Sequence, residues 1–282
     1  MLNVVVENKY GDKLNLSSNK DYQLIQVTGL TPPNALINTS KIATKDGSQF
    51  NSSTLDNRNI VLTIAPRGNV ESSRINLYKY IKSKQYIKLY LTNGSRKVWI
   101  EGRVESINGD LYENPQKLQV SVICPDPYFK AENEELISFS LVTAMFTFPF
   151  SISSDGVEMS KTTIYSEQNV YNDSDDEVGV IVELFANSEV SNPAIHNLTT
   201  DESFTIEYDM ETGDKITLNT KRGEKSLKLI KNGVESNIIN HMTRDSKWFT
   251  LVTGDNVFSC TSSSGVESLK VVVKVQPIYE GV

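Results

Sequence analysis

"LQVSVICPDPYF", residues 118–129, begins as a strand and ends in a way that no strand can continue. Apolar and polar residues alternate from Leu118 to Ile123, the period of a half-buried strand. Pro125 then holds Cys124 out of the helical region, and Pro127 does the same to Asp126. Neither proline can donate to a sheet ladder. The run Cys124-Pro125-Asp126-Pro127-Tyr128-Phe129 therefore reads as a stiff, extended exit from the last strand of a first domain. It places Tyr128 and Phe129 where they can pin one domain on the other. A chain of 282 residues suits two domains, and we expect them at 1–129 and 130–282.

Outward from this junction toward the N-terminus, alternation recurs in Ile60–Ile64, Tyr86–Leu91 and Lys97–Glu101. Asn93-Gly94 and Asn108-Gly109 lie where hairpin turns belong, since both residue types tolerate positive φ. One helix is expected over residues 69–83, with Leu77, Tyr78 and Ile81 on one face, Arg74 a turn earlier, and Asn69 or Ser72 as its cap. Residues 38–57, "NTSKIATKDGSQFNSSTLDN", are polar and long for a connection inside a compact domain. Loops of that length are often functional, and this one is expected to be ordered only by a neighbour or partner.

Toward the C-terminus the pattern is almost wholly β. Residues 178–185, 203–208, 215–220, 226–230, 247–251 and 268–275 read as strands, with Thr212-Gly213-Asp214, Asn232-Gly233 and Thr253-Gly254-Asp255-Asn256 as turns. Short strands at this spacing indicate a sandwich or jelly roll. The fold class expected is mainly β, with one helix confined to the first half.

The chemistry narrows what such a chain can do. A net charge of −7 argues against general affinity for nucleic acid or anionic lipid. The most apolar segment, 136–150, is too short to span a bilayer. Cys124 and Cys260 lie in no zinc or redox spacing, and His196 and His241 in no metal or catalytic motif. The acidic run Asp173–Glu177 lacks the spaced ligands of a calcium loop and reads as solvated surface. Tyr208 and Trp248 are the rings that could stack on a sugar, although Trp248-Phe249 sits in a strand pattern that favours packing. No catalytic residue, metal site or cofactor is expected.

The order of motifs carries a resemblance. Val27-Thr28-Gly29-Leu30 with Pro32-Pro33, Asp46-Gly47 with Phe50, Asp56 and Arg58-Asn59-Ile60, and the Cys124–Phe129 exit resemble the distal tail protein family of long-tailed phages, prophages and phage-tail-like particles. Asn192-Pro193 with Ile195, Thr253–Asn256 and the closing Val275–Val282 continue the resemblance, which covers nearly the whole chain. It implies a structural protein of the tail tip, assembled in the bacterial host cytoplasm. A β-sandwich or barrel-like first domain would form a homohexameric ring, and a galectin-like or carbohydrate-module-like sandwich would follow it. The implied partners are the tail tube protein, the tape measure protein, a hub or tail-associated lysin and a receptor-binding protein. Asp46, Gly47, Phe50, Asp56 and Arg58 become the candidate partner-contact loop. The rival readings are a carbohydrate-binding module that attaches the particle to the host cell wall, and a hydrolase, against which the missing nucleophile motif counts.

Overall fold

The computed structural model describes residues 2–144, 160–164 and 167–282. The chain divides into two compact units. The first comprises Met1–Glu132 together with Ile278–Val282, and the second comprises Asn133–Pro277. The division thus falls at 132/133, three residues beyond the expected one, and the last five residues rejoin the first unit.

The first unit is built on one antiparallel sheet of nine strands. Its ten strands before the division are β1 Asn3–Asn8, β2 Lys13–Asn15, β3 Tyr22–Thr28, β4 Ala35–Lys41, β5 Ser48–Leu55, β6 Arg58–Pro66, β7 Tyr86–Asn93, β8 Arg96–Gly109, β9 Leu118–Cys124 and β10 Phe129–Ala131. The main sheet runs β2-β1-β7-β8-β9-β6-β3. β10 pairs with β8 and with the return strand Ile278–Tyr279. Alternation produces the core. Val4 and Val6, Ile60, Leu62 and Ile64, Ile87, Leu89 and Leu91, and Val120 and Val122 all point inward and are buried. The sheet is apolar on one face, as its period-two pattern requires.

Helix α1, Val70–Tyr80, follows the expected start: the side chain of Asn69 accepts from the amide of Ser72 at 3.1 Å, satisfying one orphan donor of the first turn. Leu77 and Ile81 enter the core. Tyr22 on β3 donates its hydroxyl to the Ser73 carbonyl at 2.9 Å, so the helix is tied to the sheet by a hydrogen bond as well as by packing.

Two turn readings are corrected. In the β7–β8 hairpin Asn93 pairs with Arg96, so the turn residues are Gly94-Ser95, with Gly94 at φ +60°. Asn108-Gly109 makes no tight turn. β8 continues through Gly109, paired with Leu118, and a Cβ there would meet Leu118 Cδ2 at 2.4 Å. The glycine serves a close approach of strands.

The polar stretch 38–57 is also corrected. It is no irregular loop: β4 and β5 form an antiparallel two-stranded sheet of their own, paired from Ala35↔Leu55 to Lys41↔Ser48 with a one-residue register shift between Asn38 and Thr39. Every residue from Asn34 to Thr54 is exposed.

The second unit contains a six-stranded antiparallel sheet in the order Glu135–Ser138, Leu269–Val275, Ile181–Ala186, Lys215–Asn219, Ser226–Lys231, Val234–Asn237. A four-stranded sheet follows the order Glu167–Asn172, Gly254–Thr261, Ala194–Asn197, Glu202–Thr205. Val182, Leu184, Ile216, Leu218, Val271 and Val273 are buried from the first sheet, and Phe204 and Phe258 from the second. The expected strand at 247–251 is absent: only Leu251 bridges, to Val178. Phe249 is nevertheless buried, packed edge-on against Phe258 with centroids 5.3 Å apart. The expected turn at 253–256 is instead the start of a strand at Gly254. There Asn256, fully buried, accepts from the amide of Val252 and donates to its carbonyl. Its amide side chain stands in for a partner strand.

Candidate functional site

The motifs that carry the resemblance meet at one side chain. Arg58 opens β6 and is only 2% exposed. Its Nε donates to the Pro127 carbonyl at 2.6 Å. Nη1 donates to the carbonyls of Gly29 (2.6 Å) and Thr31 (2.7 Å), and Nη2 donates to that of Glu280 (2.6 Å). The guanidinium also lies 4.4 Å from the centroid of the Phe129 ring. A guanidinium is a planar fork of fixed donors, so these contacts define the relative positions of several chain segments at once. They are the end of β3, the exit from β9 and the return segment.

Burial draws the Arg58 pKa below its ordinary value, while the Glu280 carboxylate acts the other way. A guanidinium starts so high that it remains a cation. Cys124, fully buried beside it, has its thiol pushed up to about 12 by burial and behaves as a small apolar residue.

Backbone conformation supports the clasp. Gly29 has φ +83°, and a Cβ there would come within 2.1 Å of the Asn59 carbonyl oxygen, so only glycine lets this carbonyl turn toward Arg58. On the far side Arg96 donates to the Gly281 carbonyl at 2.7 Å and covers the Tyr279 ring at 4.3 Å. The amide of Val282 donates to the Leu30 carbonyl at 3.0 Å.

These contacts revise the roles expected for two groups of residues. Phe129 is fully buried in the core of the first unit. Its ring packs in that core and is a platform for Arg58. Tyr128 is half-buried, and its amide donates to Asp126 Oδ1 at 3.3 Å. The Asp126 carboxylate also pairs with Lys130 at 3.1 Å. Pro125 is exposed, and Pro127 contributes its carbonyl to the clasp.

The five residues of the candidate contact loop separate as well. Asp46 and Gly47 lie at the tip of the β4–β5 hairpin, Phe50 stands 60% exposed on β5, and Asp56 is exposed at its base. Arg58, by contrast, is consumed by its own chain. Leu36, Ile37, Ile42 and Phe50 make the hairpin an exposed apolar element, with Ile37 63% exposed.

The solvent face of the main sheet carries a ladder of cations and rings. Lys88 Nζ lies 3.5 Å from the Trp99 centroid, and Lys13 lies 4.5 Å from that of Tyr90. The Tyr90 hydroxyl donates to Glu7 at 2.9 Å, and burial together with that carboxylate raises its pKa to about 12. This cluster was not legible beforehand, because it depends on the β1–β7–β8 register.

In the second unit, Tyr208 meets His241 edge-on at 5.3 Å and Trp248 meets Phe204 edge-on at 5.1 Å. The His241 ring hydrogen-bonds the Glu207 carbonyl through Nδ1 at 2.7 Å, and His196 reaches Thr261 Oγ1 at 3.0 Å. A polar open cleft of about 640 Å³ is lined by Ser203, Thr205, Glu207, Thr243, Arg244 and Asp245. Neither Tyr208 nor Trp248 lines it. The acidic run 173–177 folds around Asn172, which donates to the carbonyls of Asp176 and Leu251 and accepts from the amide of Ser174. Among the described residues no cluster of three potential metal ligands occurs, and no helix is long and apolar enough to cross a membrane.

Two family profiles match the chain. The phage tail protein RIFT-related domain covers residues 9–124, and the siphovirus-type tail component C-terminal domain covers residues 173–276. The chain belongs to the distal tail protein family. Members of that family are structural proteins of the phage tail tip and baseplate, not enzymes. The same fold is found in the crystal structure of SPP1 Dit (gp 19.1), described as a paradigm of the hub adsorption apparatus in phages infecting Gram-positive hosts. That likeness has a TM-score of 0.68 at 12% identity, covering 97% of this chain and 98% of the other. A chain of the phage P2 baseplate in its activated conformation with calcium gives 0.51 at 10% identity over the full length of both. No curated protein matches by sequence.

Proposed function

We propose that this distal tail protein forms a homohexameric ring joining the tail tube to the hub or tail-associated lysin, with the tape measure protein passing through and receptor-binding proteins attached. The observation that carries the reading is the β4–β5 hairpin. A two-stranded ribbon alone is marginally stable in water, and this one exposes four large apolar side chains that no described residue of the chain covers. Such a ribbon fits a neighbouring copy: head-to-tail contacts that close into a ring leave no unpaired end. With −7 on each copy, a ring of this protein is not suited to hold DNA, and a passing duplex would slide.

Electron microscopy and light scattering of the protein with its tube or hub partner test the reading. The expected result is a closed six-membered ring with the hairpin ordered against its neighbour. A ring of another symmetry, or a hairpin left in solvent within the assembled ring, would overturn it.

A further inference from the structure

Residues 278–282 reach the first unit only after the chain has passed through the second. Ile278 and Tyr279 pair with β10, whereas residues 280–282 reach the segment that leads into the hairpin. The Glu280 carbonyl occupies Nη2 of Arg58, while Nη1 of the same guanidinium holds the carbonyls of Gly29 and Thr31. Val282 bonds Leu30 directly, and a Cβ on Gly281 would sit 3.4 Å from both the Leu30 oxygen and Pro32 Cδ. Asp56, at the other end of the hairpin, donates its amide to the Asn34 carbonyl at 3.0 Å, closing the root just beyond Thr31. One rigid cation therefore bridges the return segment and the hairpin root.

We infer that docking of the return segment sets the root of the hairpin, so that Arg58 is a positioning residue for assembly. A chain that has not yet placed residues 278–282 does not present the hairpin in its assembly geometry. The physical reason is the geometry of the fork. Without the Glu280 carbonyl, a buried charged N–H loses its acceptor, an expensive state. The guanidinium plane then turns or admits water, and the Gly29 and Thr31 carbonyls lose the donor that fixed them. This step rests on the reading of the hairpin as the assembly element, but the coupling itself is measurable without assembly.

The test is amide hydrogen exchange on the full chain, comparing wild type with Arg96→Ala and with Tyr279→Ala. Arg96→Ala removes the donor to the Gly281 carbonyl and Tyr279→Ala the ring beneath Arg96, while Arg58 and the root residues Leu30, Thr31, Asn34 and Asp56 keep their own side chains. Exchange at Asp56 is expected to rise by about tenfold or more together with that at Val282, while the β6–β9 ladder amides stay protected and report an intact fold. Arg58→Lys, which keeps the charge but not the fork, is expected to loosen both sites at once. Faster exchange at Val282 with Asp56 unchanged would overturn the inference. Coupled exchange in a variant series whose rings form regardless of the hairpin would uphold the coupling and instead remove the assembly reading.

Discussion

The hairpin Ala35–Leu55 and the Arg58 clasp at its root are neighbours in sequence governed by opposite physics. In the hairpin every residue up to Thr54 is exposed, and the two strands bond to one another. In the clasp a charged side chain is almost fully buried and each of its nitrogens has a carbonyl acceptor. A strand pair with nothing to cover it points to a partner outside the chain, whereas a saturated cation points to work done inside it. Calling both regions one contact loop, as the resemblance suggests, merges the proposed interface with its foundation.

The largest expected effect lies in the clasp. Arg58→Ala removes the donor to four carbonyls and the cover over Phe129. Breaking a buried charged network of this kind costs about 3–5 kcal/mol. Chemical denaturation should show the first unit destabilised by that order while the second keeps its transition. An unchanged first transition would mean that the clasp is decorative. Phe129→Ala removes a buried core aromatic, a loss of about 3–5 kcal/mol, and Tyr128→Ala should cost clearly less because its ring is only half-buried. Equal losses would favour the reading of the pair as a domain pin.

Gly29→Ala should follow, at about 1–3 kcal/mol, from the strain of a side chain at positive φ against the Asn59 carbonyl. If thermal melting finds this variant as stable as wild type, the carbonyl at position 29 is not held by its conformation.

How much of this was legible depends on what kind of signal each feature leaves. The sheet of the first unit announced itself because one face is buried, so Ile60–Ile64 and Tyr86–Leu91 alternate. The hairpin strands left no such trace: with neither face covered, Asn38–Lys41 and Ser48–Thr54 carry no period-two pattern and read as loop. The motifs around Gly29, Arg58, Pro127 and Glu280 were visible in order but not in meaning. Backbone carbonyls are the acceptors, and a carbonyl has no residue type by which to find it. In the second unit Lys247–Leu251 looked like a strand because Phe249 and Leu251 are core residues. Core position and strand geometry separate there, since the Asn256 side chain satisfies the backbone of Val252 that a neighbouring strand would otherwise pair.

Acid offers a contrast of a different kind. Glu183, on the six-stranded sheet, is approached by Lys215 at 2.6 Å and Lys274 at 3.1 Å. Burial alone would raise its carboxyl, but the hydrogen bonds and charges of the two lysines prevail and hold it below its ordinary value. A depressed carboxyl contributes stability above its unfolded pKa and loses it as pH falls through the folded one. The second unit should therefore weaken on acidification below the ordinary carboxylate range, and Glu183→Gln should flatten that limb of its stability profile. The Arg58 clasp titrates nowhere near that window, so a pH series on Arg58→Ala should parallel the wild type. Identical acid limbs for wild type and Glu183→Gln would show that the lysine pair contributes nothing measurable.

The smallest effect on stability is expected where assembly has most to lose. Phe50→Ser and Ile37→Ser change side chains that are already exposed in the free chain, and surface substitutions of this sort usually fall within about 0.5 kcal/mol. The isolated protein should melt as wild type does, because nothing in its own fold touches these groups strongly enough to register. If a neighbouring copy covers them, the same substitutions remove apolar area from every interface of a closed ring, and ring yield should fall steeply at unchanged monomer stability. That dissociation of the two readouts separates an interface from a foundation. Arg58→Ala should lower stability first and assembly as a consequence, whereas Phe50→Ser should lower assembly alone. A hairpin variant that melts earlier would mean that the free chain folds the hairpin onto itself after all. One that melts normally and still forms rings would remove the hairpin from the interface.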